Sequence, residues 1–580
     1  MNKIKNRLTI AMIVIFGLHA YACNDFLNEP PQGSLAESTL ANQTGVEGNL
    51  ISAYAVLDGY DSGLSPIWTS AASNWVLGEV VSDNANKGSE RGDQQGMEDI
   101  ELFQWGLANG DQQQNDKWEM LYEGVTRANS TLRQLEASRD EILDSDAERI
   151  RGEALALRAF YHFEAYKVWE NVPFVPEDVE DFDIPNSEPI IPKILTDLNN
   201  AIELLPFPQE EVGRISKWDT KALKGRVLMF NQQFNEALTI LRDVVNNGPF
   251  QLENTFWQVF SAFNDNGPET ILAFQASVND GDPSGANGNC QDRLNFPHSG
   301  SPFGCCGFFQ PSQNLVNAFQ VNEDGLPLPV TSPDNWNTLE GNPEATLPVD
   351  PRLDWTVGRP DVPFLDWGIH AVGWVRDASF GGIYQSKKNI WEQSSNAKSN
   401  VGWSTFQLHW KNLHLLRFAD VVLLLAEAEV EAGSLEKARA LVNQIRERAA
   451  QTAQGSVDNI EVPLERQQNP IGDNSEVYEL QTDYASYRIG LYEEEWTDKT
   501  FARRVVRTER RLELAMEGHR LFDLRRWDID QEVMRNFIEV EQTRRFFLQA
   551  ASPFEERHDR YPIPSEQLDL TNELQQNPGW

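Results

Sequence analysis

The chain has 580 residues, of which 40% are hydrophobic and 10% aromatic, and a formal net charge of −39. That apolar share suffices for a large core or several subdomains and excludes a mostly disordered chain. Acidity on this scale favours solubility and disfavours nucleic acid and other polyanions, since any local basic patch works against a global repulsion.

The N-terminus reads as a targeting segment. Lys3, Lys5 and Arg7 precede an apolar run, Leu8–Leu18, too short to span a bilayer as a mature helix but suited to a signal-peptide core. The run ends in His19-Ala20-Tyr21-Ala22-Cys23, which looks like a bacterial lipoprotein-processing site with Cys23 as the acylated first residue. The pattern departs from the usual one in having Ala20 in place of leucine and a bulky Tyr21, and a plain secretory peptide is the alternative. Residues 1–22 are therefore expected to be removed and 23–41 to form a lipidated tether. Acyl chains contribute about 0.8 kcal/mol per buried CH₂, so such an anchor needs no transmembrane helix.

Helical periodicity then dominates. Val46, Leu50, Ala53, Tyr54 and Leu57 share one face of a predicted helix over Asn42–Tyr60. A Gly/Asn/Asp/Ser-rich excursion over Asp61–Asn109 carries Trp68, Trp75 and Trp105, and is long enough to suggest a functional loop. Helices are predicted over Asp116–Ala137 and from Arg151, where Leu155, Phe163 and Tyr166 make an aromatic stripe among small alanines. Asn171 and Pro173 end that helix, because proline lacks an N–H and biases its predecessor away from helical angles. Further helices are predicted over Lys193–Leu205, Lys217–Asn231 and Phe234–Asn246. In the last pair, Ala222, Gly225 and Ala237 fall where two helices touch, in the manner of a tetratricopeptide-like hairpin.

Periodicity fades over residues 267–412. Glycine, proline, asparagine and serine rise there, and seven of the 17 tryptophans fall in the stretch: Trp336, Trp355, Trp367, Trp374, Trp391, Trp403 and Trp410. Helices return over His414–Ala432, Leu435–Ala449 and Thr508–Trp527, so the stretch reads as an insertion into one helical scaffold. The expected organisation is an N-terminal helical part over 42–266, a loop-rich ligand-binding insertion over 267–412, and a C-terminal helical part with a closing segment over 413–580.

Four separated segments carry a family resemblance: RGEALALRAFYHFEAYKVWENVPFVPED at Arg151–Asp178, RFADVVLLLAEAEVEAG at Arg417–Gly433, ERRLELAMEGHRLFDLRRW at Glu509–Trp527, and the closing YPIPSEQLDLTNELQQNPGW. With NDFLNEPPQG after Cys23, they resemble the SusD/RagB family of outer-membrane nutrient-binding lipoproteins. The resemblance implies a mainly α-helical fold with tetratricopeptide-like hairpins, and it covers the helical frame more than the large loop-rich, Trp-rich insertion read from composition. It also implies lipid anchoring at the cell surface, partnership with a SusC-like TonB-dependent transporter, and no enzymatic chemistry.

Residue chemistry points the same way. No phosphate loop, nucleotide-binding glycine pattern or nucleophile elbow occurs. Glu513, Glu517, His519 and Asp523 could suggest a metal, but Arg510, Arg511, Arg520, Arg525 and Arg526 flank them, so the expectation is an ion-paired helix. His162 is expected to be a satisfied core side chain. Cys290, Cys305 and Cys306 are taken as structural: Cys290 could pair with either neighbour, or the neighbours with each other. No metal or cofactor is indicated, and a structural calcium is left open.

Sugar rings stack their C–H faces on flat aromatic planes, and an indole adds an N–H at its edge. Trp68, Trp75, Trp336, Trp367, Trp374 and Trp391, each amid loop-type residues, are therefore the candidate glycan platform, with at least two expected at an exposed face. For any single tryptophan, packing in the insertion's own core is the competing reading. Trp118, Trp169, Trp218 and Trp527, on predicted helices, are assigned to core. Asp83, Asn84, Lys87 and Arg91 at the tip of the first excursion are the polar candidates, where the resemblance also places ligand contacts. The functional expectation is a cell-surface binder of oligosaccharide or polysaccharide; the alternatives are an extracellular glycoside hydrolase and a peptide-binding uptake protein. Between Asp280 and Trp410, 14 acids face 7 bases, which leans toward neutral glycans.

Overall fold

The computed structural model describes residues 42–59, 67–106, 108–179, 183–402, 406–468 and 476–580. The signal segment, Cys23, the tether and Trp403 lie outside the described residues. Among those described, no helix is long and apolar enough to cross a membrane.

The frame is mainly α-helical. Helix Ala108–Ala137 packs along Asp144–Trp169, which in turn packs on Ile191–Leu204. From Gly152 to Trp169 the central helix is almost wholly buried, because neighbours cover every side of it. It stops at Trp169, with Glu170 in the left-handed region at φ 61°. His162 is satisfied inside: its Nδ1 lies 3.0 Å from Arg158 O, and its Nε2 accepts from Val175 N at 3.0 Å. Burial first, then the nearby Arg158 charge, pushes this imidazole down to about 3, so it stays neutral.

Helices Lys217–Phe230 and Phe234–Asn247 form the expected hairpin, and a Cβ on Gly225 would come within 2.3 Å of Leu241. Phe234–Asn247 packs on Phe418–Ala432, which packs on both Leu435–Ala449 and Lys499–Leu514. The intervening stretch thus leaves the helical array and returns to it. Its two ends meet, since strand Thr270–Phe274 pairs antiparallel with Leu413–Arg417.

Five features differ from the periodicity. The helix expected from Asp116 begins at Ala108: Gln114 Nε2 donates to Trp105 O at 2.8 Å and to Gly110 O at 3.2 Å, giving a polar turn a buried place. His414–Arg417 is strand rather than helix, edge-paired to the insertion's entry strand. The helix expected over Thr508–Trp527 is two, Lys499–Leu514 and Arg520–Arg526, broken where Gly518 takes φ +81°, a region costly for residues with a Cβ. Helix Asp530–Arg544 and the meander Glu465–Gln468, Glu476–Gln481 and Ser486–Gly490 carried no clear signal.

The ion-paired reading of the 509–527 segment holds. Glu513 meets Arg417 at 2.8 Å, Arg352 at 3.3 Å and Arg448, all buried, while Glu517 meets Arg417 and Lys388 at 2.7 Å each. Arg510 pairs with Asp420 and Asp523, and Arg526 with Glu427 and Asp523. Arg525 instead donates to the carbonyls of Val168 and His558. These pairs bolt the returning strand, the Leu435–Ala449 helix and the Lys499–Leu514 helix together.

Candidate functional site

Strand Ala85–Gly88 pairs antiparallel with Phe308–Pro311, and this ladder holds the tip, residues 89–94, above the fold. Lys87 lies inside the turn: its ammonium donates to Glu90 O at 2.9 Å and Asp93 O at 2.6 Å, with Glu98 at 3.5 Å. Burial lowers its proton affinity, partly offset by Glu101, Glu98 and Asp93. Lys87 is thus a rivet for the tip and presents no charge to a ligand, contrary to its expected place among the polar ligand partners.

Asp83 and Asn84 are likewise buried. Arg520 grips the Asp83 carboxylate at 2.7 and 2.9 Å, and Arg511 donates to Asn84 Oδ1 at 2.8 Å. Burial alone would raise the Asp83 carboxyl, but Arg511 and Arg520 outweigh it and hold it below its usual value. Of the four polar candidates only Arg91 projects, with 74% of its side chain exposed and Glu98 3.8 Å away.

The tryptophans divide in the same manner. Trp75 is fully buried against Phe308 and Phe309. Trp367, Trp374 and Trp391 belong to a second hydrophobic core with Trp257, Trp355, Phe303 and Phe364. Their indoles are consumed there: Trp367 Nε1 donates to Trp391 O at 2.6 Å, and Trp391 Nε1 to Phe406 O at 3.0 Å. The choice of these four for the glycan platform is corrected: Trp367, Trp374 and Trp391 fill the insertion's own core, and Trp75 packs in the main one. Trp68 and Trp336 remain partly accessible. The helix assignments fare better: Trp118, Trp169 and Trp527 are buried, and Trp218 is half-buried against the main core.

Around Arg91 the structure gathers residues that spacing did not single out. Arg376 donates to Ser89 Oγ at 3.1 Å and pairs with Asp93 at 2.6 Å and with Glu90, tying the insertion to the tip. His298 N donates to Trp374 O at 2.8 Å, placing the His298–Ser299 loop beside them, and Ile369 and Val372 on the same insertion segment are about half exposed. Trp68 adjoins through Gln94, whose Oε1 lies 3.4 Å from the indole Nε1, and Arg293 lies 4.7 Å over one ring face. The result is an open surface with an aromatic plane, amides, paired charges and two apolar side chains. It can offer hydrogen bonds to hydroxyls and flat contact to C–H faces. The loop also holds a disulfide between Cys305 and Cys306, while Cys290 is buried with Sγ 3.7 Å from Gly285 O. No motif announces Arg376, His298 or Gln94; only the fold brings them to Arg91.

The carboxyls that burial raises furthest do structural work. Glu79, pushed up to about 7, accepts from the Gly518 and His519 amides, and Asp219, also about 7, caps the Lys217–Phe230 helix. Neither faces the tip surface. Among the described residues no group of three or more His, Cys, Asp or Glu could hold a metal ion.

A mainly helical frame with a long looped insertion that encloses its own Trp-rich core is the fold of a SusD-like protein. The chain belongs to the SusD family, whose model matches residues 268–580; a second model, described as starch-binding associating with outer membrane, matches residues 25–229. The chain is similar to SusD-like protein P25 of Formosa agariphila, at 23% identity over 98% of this chain and 97% of that one. Its fold is similar to that of a laminarin binding SusD-like protein, with TM-score 0.65 and 21% identity over 93% of this chain and 100% of that one. It is also similar to surface glycan-binding protein A from Bacteroides fluxus, with TM-score 0.63 and 19% identity over 93% and 99% of the two chains.

Proposed function

We propose that this chain is a cell-surface glycan-binding lipoprotein that captures oligosaccharide or polysaccharide and hands it to a SusC-like TonB-dependent outer-membrane transporter. The observation that carries the reading is family membership: the two models together account for residues 25–229 and 268–580, and structures of the same fold include a laminarin binder and a surface glycan binder. The outer-membrane location rests on the second model's description and on the Cys23 pattern. The capture surface is the tip face, with Trp68 as stacking plane and Arg91, Gln94 and Arg376 as hydroxyl partners.

A glycan-panel binding screen on protein starting at Asn24 tests this. Wild type binds at least one polysaccharide, and a Trp68→Ala, Arg91→Ala double substitution weakens that binding at least tenfold, about 1.4 kcal/mol, with the thermal midpoint little changed. A panel without a single binder, or a double variant that binds as wild type does, rejects the tip face.

A further inference from the structure

A separate concavity shares no lining residue with the tip surface. It is an open cleft of about 740 Å³, walled by the Lys499–Leu514 and Asp530–Arg544 helices, the Arg520–Ile529 segment and the loop carrying Trp336. Its volume is within the range of small-ligand sites. Residues 500, 503, 504, 507, 508 and 511 line it at three- and four-residue spacing, so one face of the Lys499–Leu514 helix is a threonine and arginine stripe.

Six arginines line the cleft against four carboxylates. Most are neutralised: Asp83 serves Arg511 and Arg520, Glu427 serves Arg526, and Glu431 serves Arg503. Arg504 and Arg507 have no ion pair or hydrogen bond among the described residues. Arg504 is exposed and Arg507 half-buried, its guanidinium 5.0 Å over the Trp527 ring. Farther along the same helix Arg511 lies 5.7 Å over Trp336, which the facing loop supplies. Burial lowers the proton affinity of Arg507, partly offset by Glu427, yet a guanidinium stays charged at neutral pH. Two guanidinium groups without an ion pair thus share one cleft with the partly exposed Trp336 and the exposed carboxylate of Asp528, in a chain whose overall charge is −39.

We propose that this cleft is a second carbohydrate subsite, which takes the sulfate or carboxylate group of an acidic oligosaccharide on Arg504 and Arg507 while a sugar ring stacks on Trp336. Guanidinium groups meet such planar or tetrahedral oxyanions with paired hydrogen bonds. A compact anion on a sugar suits the cleft better than an extended polyanion, which the chain's overall charge repels. The glycan class rests on the functional reading above; the anion preference rests on the cleft alone. The sequence lean toward neutral glycans came from the insertion's charge count, whereas this basic face belongs to the Lys499–Leu514 helix.

Calorimetric titration of the protein starting at Asn24 with tetragalacturonate, a sulfated carrageenan tetrasaccharide, neutral cellotetraose, inorganic sulfate and a short polyglutamate peptide tests the proposal. At least one acidic tetrasaccharide binds, its affinity falls with rising salt, and R504Q/R507Q and W336A each weaken it about tenfold or more. Both sites are solvent-reached, so thermal midpoints near wild type certify the folds. Cellotetraose binding unaffected by either variant supports the split between the two surfaces and bears on the tip face alone. The proposal is overturned if neither acidic tetrasaccharide binds, if R504Q/R507Q binds them as wild type does, if inorganic sulfate matches them in affinity, or if the peptide alone is taken, which would mark an acidic protein segment as the occupant.

Discussion

Glu513→Ala is expected to destabilise the protein by about 3–5 kcal/mol, the scale for removing one partner from a buried ion pair. Glu513 is fully buried, and Arg352, Arg417 and Arg448 converge on its two oxygens from three separate parts of the chain. Truncation leaves those guanidinium groups with Asp350, Glu509, Glu269 and Glu517 as remaining partners; because Arg446 and Lys388 also draw on Glu509 and Glu517, the buried network is left with one surplus positive charge. Burial alone would raise the Glu513 carboxyl, but Arg448, Arg417 and Arg352 hold it far below the usual glutamate value of 4.5. Because the folded value is depressed, the stabilisation is fully present above that usual value and is lost as pH falls through the folded one. Urea denaturation of wild type and variant at neutral pH measures the effect. A difference below about 1 kcal/mol, the scale of an exposed pair, would show that the network does not hold the returning strand to the helices.

Trp391→Ala is expected to cost about 3–5 kcal/mol, the range for truncating a large buried ring. Its indole is 1% exposed, sits 4.9 Å edge-on from Trp367, and satisfies its N–H on Phe406 O. The consequence differs in kind from that of Trp68→Ala. Trp391→Ala lowers the thermal midpoint of the insertion, whereas Trp68→Ala lowers glycan affinity with little change in stability. If Trp391→Ala instead left the midpoint intact and selectively removed glycan binding, the second hydrophobic core would have been mistaken for packing.

These two residues show where the sequence was informative. Glu513 and Glu517, at i,i+4 among arginines, already implied an ion-paired helix, because opposite charges at that density seek each other. The long helices were legible because a helix with one buried face repeats its apolar residues at a fixed period. Trp391 was not legible: glycine, proline and serine around it are the composition of a surface loop, and only the folded insertion reveals that such loops enclose a core. Lys87 and Asp83 failed for a related reason. Polar residues at a loop tip look solvated, but Lys87 is spent on carbonyls of its own turn and Asp83 on arginines more than four hundred positions away. Gly518 was visible as a glycine inside a helical pattern, yet its left-handed φ shows only in the fold. The Arg503, Arg504 and Arg507 stripe was readable from spacing, but which of the arginines lacked a carboxylate depended on distant Glu427 and Glu431.

The most direct test of the capture surface is hydrogen exchange on the protein starting at Asn24, with and without the tightest glycan from the panel. The tip-face account predicts slowed exchange in peptides covering residues 67–69, 89–94 and 369–376, with the main helical frame unchanged. Protection confined to other surfaces, with those peptides exchanging as in the free protein, would contradict it.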